Sequence, residues 1–314
     1  MYLCTLIEYW KMNNNRKLYG YIAIVIAVIL WGASFVWTKE LLQREFPVFT
    51  IVLCRMVIAS SVLLLLFKTT GQIERIRKKD FILFILLSLF QPFLYFIGEN
   101  FGLMYASPSI TAAIIALIPI ATALSLNFFY KEHLKKELFI GAFVSVIGII
   151  IMSFSNNSAD ITLKGFLLLL LAVVSATMYG TILQKILRKG YGPITITTYQ
   201  NVIAVIYYLP CFILFDASKV STLDWSFSPI MNIIILGILC SAGAFILYST
   251  AAKLISVAGI AVFTNVIPIV TLAMSVLLGL ESIDLKKILG IFVVIVGVLL
   301  SQIAIKTNKQ NHNI

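Results

Sequence analysis

A chain of 314 residues that is 61% hydrophobic and only 12% charged, with a mean hydropathy of +1.02, has too few polar groups to cover a water-soluble surface. Its net charge of +11 does not mark a nucleic-acid partner, because the basic residues stand in short loops between apolar runs rather than on one soluble face. The runs are about twenty residues long, enough for a helix to cross a hydrocarbon core of about 30 Å, and no series of short alternating strands suggests a barrel. The fold class read from this is all-α, a polytopic membrane protein.

From the amino terminus, "MYLCTLIEYW" is too short and too acidic for a signal-peptide core and precedes no small-residue cleavage site. Met12, opening the basic stretch "MNNNRKLYGYIAIVIAVILWG", is the expected start. Spans are predicted near 19–42, 47–67, 81–105, 107–130, 137–154, 164–187, 194–215, 228–252, 254–279 and 286–305. Polar segments such as "KTTGQIERIRKKD", "SFSNNSAD", "RKGYGP" and "DASKVSTLDWS" separate them. Of the lysines and arginines, 17 fall on the amino-terminal side of these spans and 6 on the other, which places both termini in the cytoplasm. Only Arg55 is left over from this count, and it lies within a span.

The first span carries Trp31 at mid-depth and Trp37 nearer its end. Arg55 lies in the second, about 12 Å from its outer boundary at helical rise. An arginine there is costly unless paired or facing water, so it is either a snorkelling structural residue or a cavity charge for an anionic group. In the third span Gln91, Tyr95 and Glu99 recur at i, i+4, i+8 and form one polar stripe beside Asn100. Glu99, at a depth matching Arg55, is the one acid set well back from the ends of its span; it is a candidate proton-coupling group, a static partner of Arg55 or an exposed helix-end acid. Tyr179 in the sixth span and Tyr199 and Gln200 in the seventh are further lining candidates, although aromatic residues in spans more often pack or anchor. Asn265, near mid-membrane in the ninth, needs a hydrogen-bond partner, from solute or a neighbouring helix. The four cysteines show no paired spacing and read as packing residues. Only His133 and His312 are present, with no nucleophile, metal or nucleotide motif, so the chain is read as neither an enzyme nor an ATP-driven pump, with no metal and no cofactor.

Two stretches echo one another. "IALIPIATALSLNFFYKE" and "TNVIPIVTLAMSVLLGLE" place Pro119 against Pro268 and Glu132 against Glu281, each pair 149 residues apart. Gly141, Gly148, Ser107, Thr122 and Phe143 match Gly290, Gly297, Ser256, Thr271 and Phe292 at the same offset. "GYIAIVIAV" at Gly20 and "GFLLLLLAV" at Gly165 match more faintly. Each half then holds five spans, and five being odd, the second half enters the membrane inverted, the geometry of carriers that work by alternating access. The two prolines are read as symmetric kinks or hinges beside the cavity. The two glutamates are read as caps or ion pairs, and the glycine pairs as close-packing surfaces.

Together with this duplication, "ILWGASFVWTKELL", "LCRMVIASSVLLLL" and "GLMYASPSITAAIIALIPIATAL" resemble the EamA family of the drug/metabolite transporter superfamily, from about Leu18 to Ile305. The resemblance implies ten transmembrane helices as two inverted five-helix EamA-type repeats, 18–154 and 160–305, around a central cavity. It also implies secondary transport, in most members export of amino acids, other small metabolites or toxic compounds. The expected function is export of small metabolites such as amino acids with proton coupling. The alternatives are efflux of lipophilic cations and, more remotely, a channel-like or regulatory protein. A sugar-phosphate exchanger would want more than one deep basic group. The expected partners are a small-molecule substrate and the lipid bilayer of the cell membrane, without nucleic acid, and the chain is expected to be a monomer or homodimer.

Overall fold

A backbone that crosses hydrocarbon must hydrogen-bond to itself, so uniformly apolar segments have little choice but helix. The computed structural model describes residues 2–68, 70–130, 136–153 and 161–311. In chain order they form α1 (Tyr2–Gln43), α2 (Val48–Phe67), α3 (Lys78–Met104), α4 (Pro108–Ile115), α5 (Ile118–Tyr130), α6 (Lys136–Ser153), α7 (Leu163–Arg188), α8 (Pro193–Phe215) and α9 (Phe227–Leu254). A short turn at Val257–Ile260 and a 3-10 stretch at Ala261–Val266 lead into α10 (Ile267–Leu277), and α11 (Leu285–Asn311) follows. Among the described residues there is no strand beyond a single bridge between Ala106 and Ile161. Six segments are long and apolar enough to span a bilayer: Arg16–Gln43, α2, α3, α7, α8 and α9. The fourth, fifth and ninth predicted spans are represented by shorter apolar helices.

Helix ends follow local chemistry. Ser107 Oγ accepts from Ile110 N at the start of α4, and Thr162 Oγ1 accepts from Gly165 N at the start of α7. Pro108 and Pro193 open their helices, where the missing N–H is not needed. After α7 and α10 the chain turns through Gly190 (φ +96°) and Gly279 (φ +70°), conformations open to glycine at little cost.

The predicted fourth and ninth spans are not single kinked helices. Residues 116–117 interrupt the fourth, and the 3-10 stretch interrupts the ninth. Pro119 and Pro268 therefore sit in the first turn of new helices, α5 and α10, instead of bending continuous ones. α3 also departs from the uniform helix assumed for its polar stripe. Its Leu89–Leu94 portion widens to a π-helix with Gln91 extended (φ −146°, ψ 121°), so Gln91 is out of helical register with Tyr95 and Glu99. α9 widens similarly at Leu236–Gly243.

Two crossings bring backbones together through glycine. α3 meets α7 at Gly98 and Gly102; a Cβ on Gly98 would stand 2.7 Å from Ala172 N. This is a Gly-x3-Gly surface of the kind that lets helices approach in lipid. α6 meets α11 antiparallel: a Cβ on Gly148 would lie 2.7 Å from Gly290 O, and one on Gly297 would lie 2.6 Å from Gly141 O. Ser145 Oγ donates to Val294 O at 3.3 Å in the same seam. Glu281 is indeed a cap and an ion-pair partner. It accepts from Ser109 N and Oγ at the start of α4 and pairs with Lys287 at 2.7 Å, both side chains buried. Its counterpart Glu132 lies outside the described residues.

Because the α6–α11 seam is backbone against backbone, Gly148→Leu is expected to lower stability in detergent by about 1–3 kcal/mol. Phe143→Leu, on the same helix but 68% exposed towards lipid, should leave it unchanged. Thermal unfolding midpoints of the two purified variants check this.

Candidate functional site

The irregular backbone surrounds a small internal cavity of about 50 Å³ between α1, α2, α3, α7, α9 and the two broken segments. That is room for a few waters and too little for a metabolite. Its polar side is made by Arg55, Gln91, Tyr95 and Glu99, and its aromatic wall includes Trp31, Phe96, Tyr179, Phe245 and Tyr248.

Arg55 is 1% exposed and held from two directions. Its Nε donates to Ser241 Oγ at 3.2 Å, and its guanidinium carbon lies 4.3 Å from the Phe96 ring centroid. Ser241 belongs to the wide turn of α9, and Gly237 in the same turn lets α2 come close: a Cβ there would be 2.7 Å from Ile58. Nη1 of Arg55 has no partner. Glu99, 3% exposed, lines the same cavity with the Tyr95 hydroxyl beside its carboxylate. Arg55 and Glu99 act on each other electrostatically but form no ion pair within 4.0 Å.

The wide turns and breaks free backbone carbonyls, and aromatic donors serve two of the sites. Tyr208 Oη donates to Pro92 O at 3.1 Å and Phe93 O at 2.6 Å in α3; Trp31 Nε1 donates to Cys240 O at 3.2 Å in α9. In an unbroken helix Pro119 and Pro268 would face the carbonyls of Ile115 and Thr264, four residues back, with no N–H to offer. Ile115 and Thr264 both line the cavity. The Thr264 carbonyl takes Ile267 N–H in a 3-10 turn instead.

Trp31 packs on Phe245 and Tyr248 with centroids 5.2 and 5.1 Å apart, and Tyr179 closes the group at 6.4 and 6.3 Å from the same two rings. The remaining candidates stand behind this surface. Asn100 turns away to donate to Phe96 O at 2.8 Å. Gln200 is buried near the Tyr179 hydroxyl without completing a bond to it. Asn265 is buried next to the lining residue Thr264, with both amide atoms unpartnered. Tyr199 packs edge-on against Phe84, and Trp37 packs in a separate cluster with Leu41 and Phe46.

Polar clamps close both ends of the helix bundle. On the face carrying the 68–80 segment, buried Asp80 receives Arg77 Nε at 2.9 Å, Lys189 Nζ at 2.5 Å and Tyr191 Oη at 2.9 Å, while Glu74 Oε1 receives Gly192 N. On the opposite face Lys39 Nζ donates to Leu103 O and Ala106 O, near the Glu281–Lys287 pair.

The model of the EamA-like transporter family matches residues 18–154 and 163–302. The chain belongs to the EamA-like transporter family. Its relatives include two uncharacterized transporters of Bacillus subtilis strain 168. YetK is 26% identical over 299 residues, covering 92% of this chain and 88% of that one, and YcxC is 28% identical over 310 residues, covering 93% and 95%. An uncharacterized transporter of Archaeoglobus fulgidus is 25% identical over 281 residues, covering 88% and 96%. A solved crystal structure aligns with a TM-score of 0.66 over 91% of this chain and 95% of its own at 16% identity, which shows a shared fold alone. The protein is a multi-pass membrane transporter.

Sequence reasoning on this transporter missed Ser34, Phe96, Ser241, Phe245, Tyr248 and Thr264 as lining or supporting groups. Ser241, Phe245 and Tyr248 recur at i, i+4, i+7, a face that an apolar background conceals. Tyr208→Phe removes the side-chain donor from the two α3 carbonyls, of which Pro92 O keeps the Tyr95 N–H. It is expected to cost about 1–3 kcal/mol of stability, read as a lower thermal midpoint, with Tyr21→Phe on the exposed side of α1 as the neutral control.

Proposed function

We propose that this protein is a secondary active carrier that exports small metabolites such as amino acids by alternating access, with Glu99 as the proton-coupling group. The observation that carries the reading is an internal cavity with one buried acid and one buried base, bordered by helix breaks at Pro119 and Pro268, which stand 149 residues apart. Buried charge at a helix interruption is where carriers place their solute and coupling ion. In this reading ten transmembrane helices form two inverted repeats, 18–154 and 160–305, in the cell membrane with both termini cytoplasmic. Two further features support the inversion. The glycine contacts Gly148–Gly290 and Gly141–Gly297 exchange with one another under the 149-residue shift, and the wide turns of α3 and α9 overlap under the same shift.

The aromatic group beside Glu99 also favours a second reading, efflux of lipophilic cations. Both readings are tested by overproducing the wild type and Glu99→Gln at equal membrane levels and profiling metabolites in the medium. A compound enriched roughly tenfold by the wild type and near background in Glu99→Gln is the expected result. Equal enrichment by both removes proton coupling from Glu99. No enrichment, together with raised resistance to quaternary ammonium compounds, would establish the second reading instead.

A further inference from the structure

On the face opposite the Asp80 clamp a second groove shares no lining residue with the central cavity. It measures about 390 Å³, the scale of a small-molecule site, and lies between the ends of α1 and α3, the start of α7 and the turn after α10. Lysines and arginines are the scarcer ones on this face, yet Lys39, Lys164 and Lys287 gather at this groove. Such a cluster asks for counter-charge. Glu281 is the one acid among the described residues that line the groove, and it is already engaged. Its Oε1 accepts from Ser109 N at 2.9 Å, and its Oε2 accepts from Ser109 Oγ and from Lys287 Nζ at 2.7 Å. Lys39 Nζ gives two N–H groups to the carbonyls of Leu103 and Ala106 at 2.7 and 3.0 Å, and no described carboxylate lies within 4.0 Å of it. Three ammonium groups against one carboxylate leave two positive charges over.

The neutral side chains lean the same way. Tyr105 Oη accepts from Lys164 Nζ at 2.9 Å, Ser107 Oγ from Ile110 N at 3.4 Å and Thr162 Oγ1 from Gly165 N at 3.1 Å. A hydroxyl engaged as an acceptor still has its hydrogen to give, and an ammonium has a third N–H after two are used. With the exposed Gln43 amide, the groove offers more donors than it can itself accept. We infer that this groove binds a phosphate monoester. Its two negative charges match the two surplus cations, and its three terminal oxygens match the hydroxyl and ammonium donors; a carboxylate, with one charge and two oxygens, would leave part of both unused. Bound there, the phosphate bridges α1, the end of α3 and the start of α7 and so stabilises this end of the bundle. The site is independent of which solute the central cavity takes.

The test follows the thermal unfolding midpoint of the purified full chain in detergent against rising inorganic phosphate, glycerol 3-phosphate and short-chain phosphatidic acid. Chloride at matched ionic strength and phosphatidylcholine of the same chain length are the controls. The phosphate probes should raise the midpoint saturably, and the controls should not. Lys164→Gln and Tyr105→Phe, both at the rim, should each weaken apparent phosphate affinity by roughly three- to tenfold while the ligand-free midpoint stays in place. Lys219→Gln, an exposed lysine on the same face but away from the groove, should respond as the wild type does. Lys39 is left intact, because its loss would also strip the α3 carbonyls of their donor.

The lipid arm identifies the source of the phosphate. Phosphatidic acid acting at about tenfold lower concentration than glycerol 3-phosphate assigns the site to a lipid headgroup, and equal potency assigns it to a free solute; either result sustains the inference. A rise that chloride reproduces is general screening of the lysine cluster and overturns it. So does the absence of a rise with all three phosphate probes, or a wild-type response from both Lys164→Gln and Tyr105→Phe.

Discussion

A peptide group inside hydrocarbon has no water to bond to, and most of this structure follows from where that requirement is met and where it is relaxed. Along most of α1, α2, α7 and α8 the helix satisfies itself. The departures, at Leu89–Leu94, residues 116–117, Leu236–Gly243 and Ala261–Val266, gather around the cavity. The two wide turns present carbonyl oxygens to aromatic donors, so Tyr208 and Trp31 are placed to serve backbone as well as to pack. Tyr208 and Trp31 do equivalent work on α3 and α9 from different helices. Among the described residues that line the cavity, Arg55 and Glu99 are the two ionic side chains.

That economy explains why Arg55 can be buried at all. The wide turn of α9 supplies Ser241 and the glycine that admits α2, and α3 supplies Phe96 beneath the guanidinium. The Gly98–Gly102 contact with α7 fixes α3, and with it Tyr95 and Glu99, on the other side. The clamp at Asp80 ties the start of α3 to the end of α7 and the start of α8, so the same helix that carries the acid is held at one face by a second, separate ionic group.

The all-helical, multi-pass architecture was legible because apolar length is a one-dimensional property. The six long spans and the recurring Pro–Glu–Gly pattern needed no knowledge of tertiary contacts, whereas the breaks in the fourth and ninth predicted spans were not visible in apolar length alone. The polar stripe through Gln91, Tyr95 and Glu99 was drawn on a regular helix. All three residues do line the cavity, but Gln91 arrives there through an extended residue that no helical wheel contains. Asn100 failed as a lining residue because one step along a helix turns a side chain about 100°, here back onto Phe96 O. Gln200 and Asn265 are buried as expected of amides in a span, yet one layer behind the surface. Phe245 and Tyr248 were hidden because in a membrane protein the composition gives no contrast between a residue facing lipid and one facing a cavity. Gly98 and Gly102 were passed over for a related reason. A glycine's role is set by the neighbour that comes close, and that neighbour, α7, is about seventy residues away in sequence.

The α6–α11 seam has one more consequence. Contacts that map onto each other when the two partners are exchanged define an isologous interface, the form that two copies of a single polypeptide adopt when they dimerise. On the repeat reading, the glycine crossing is a subunit interface made covalent. Joined in one chain, its two sides meet at a fixed, high effective concentration, so a narrow strip of backbone contact suffices where separate subunits would need a far larger one. Freed from the task of holding a dimer together, each half can diverge in sequence. On that reading Arg55 can sit opposite Ser241 and Phe96 without an arginine twin in the second half, and one cavity can carry two unlike charges.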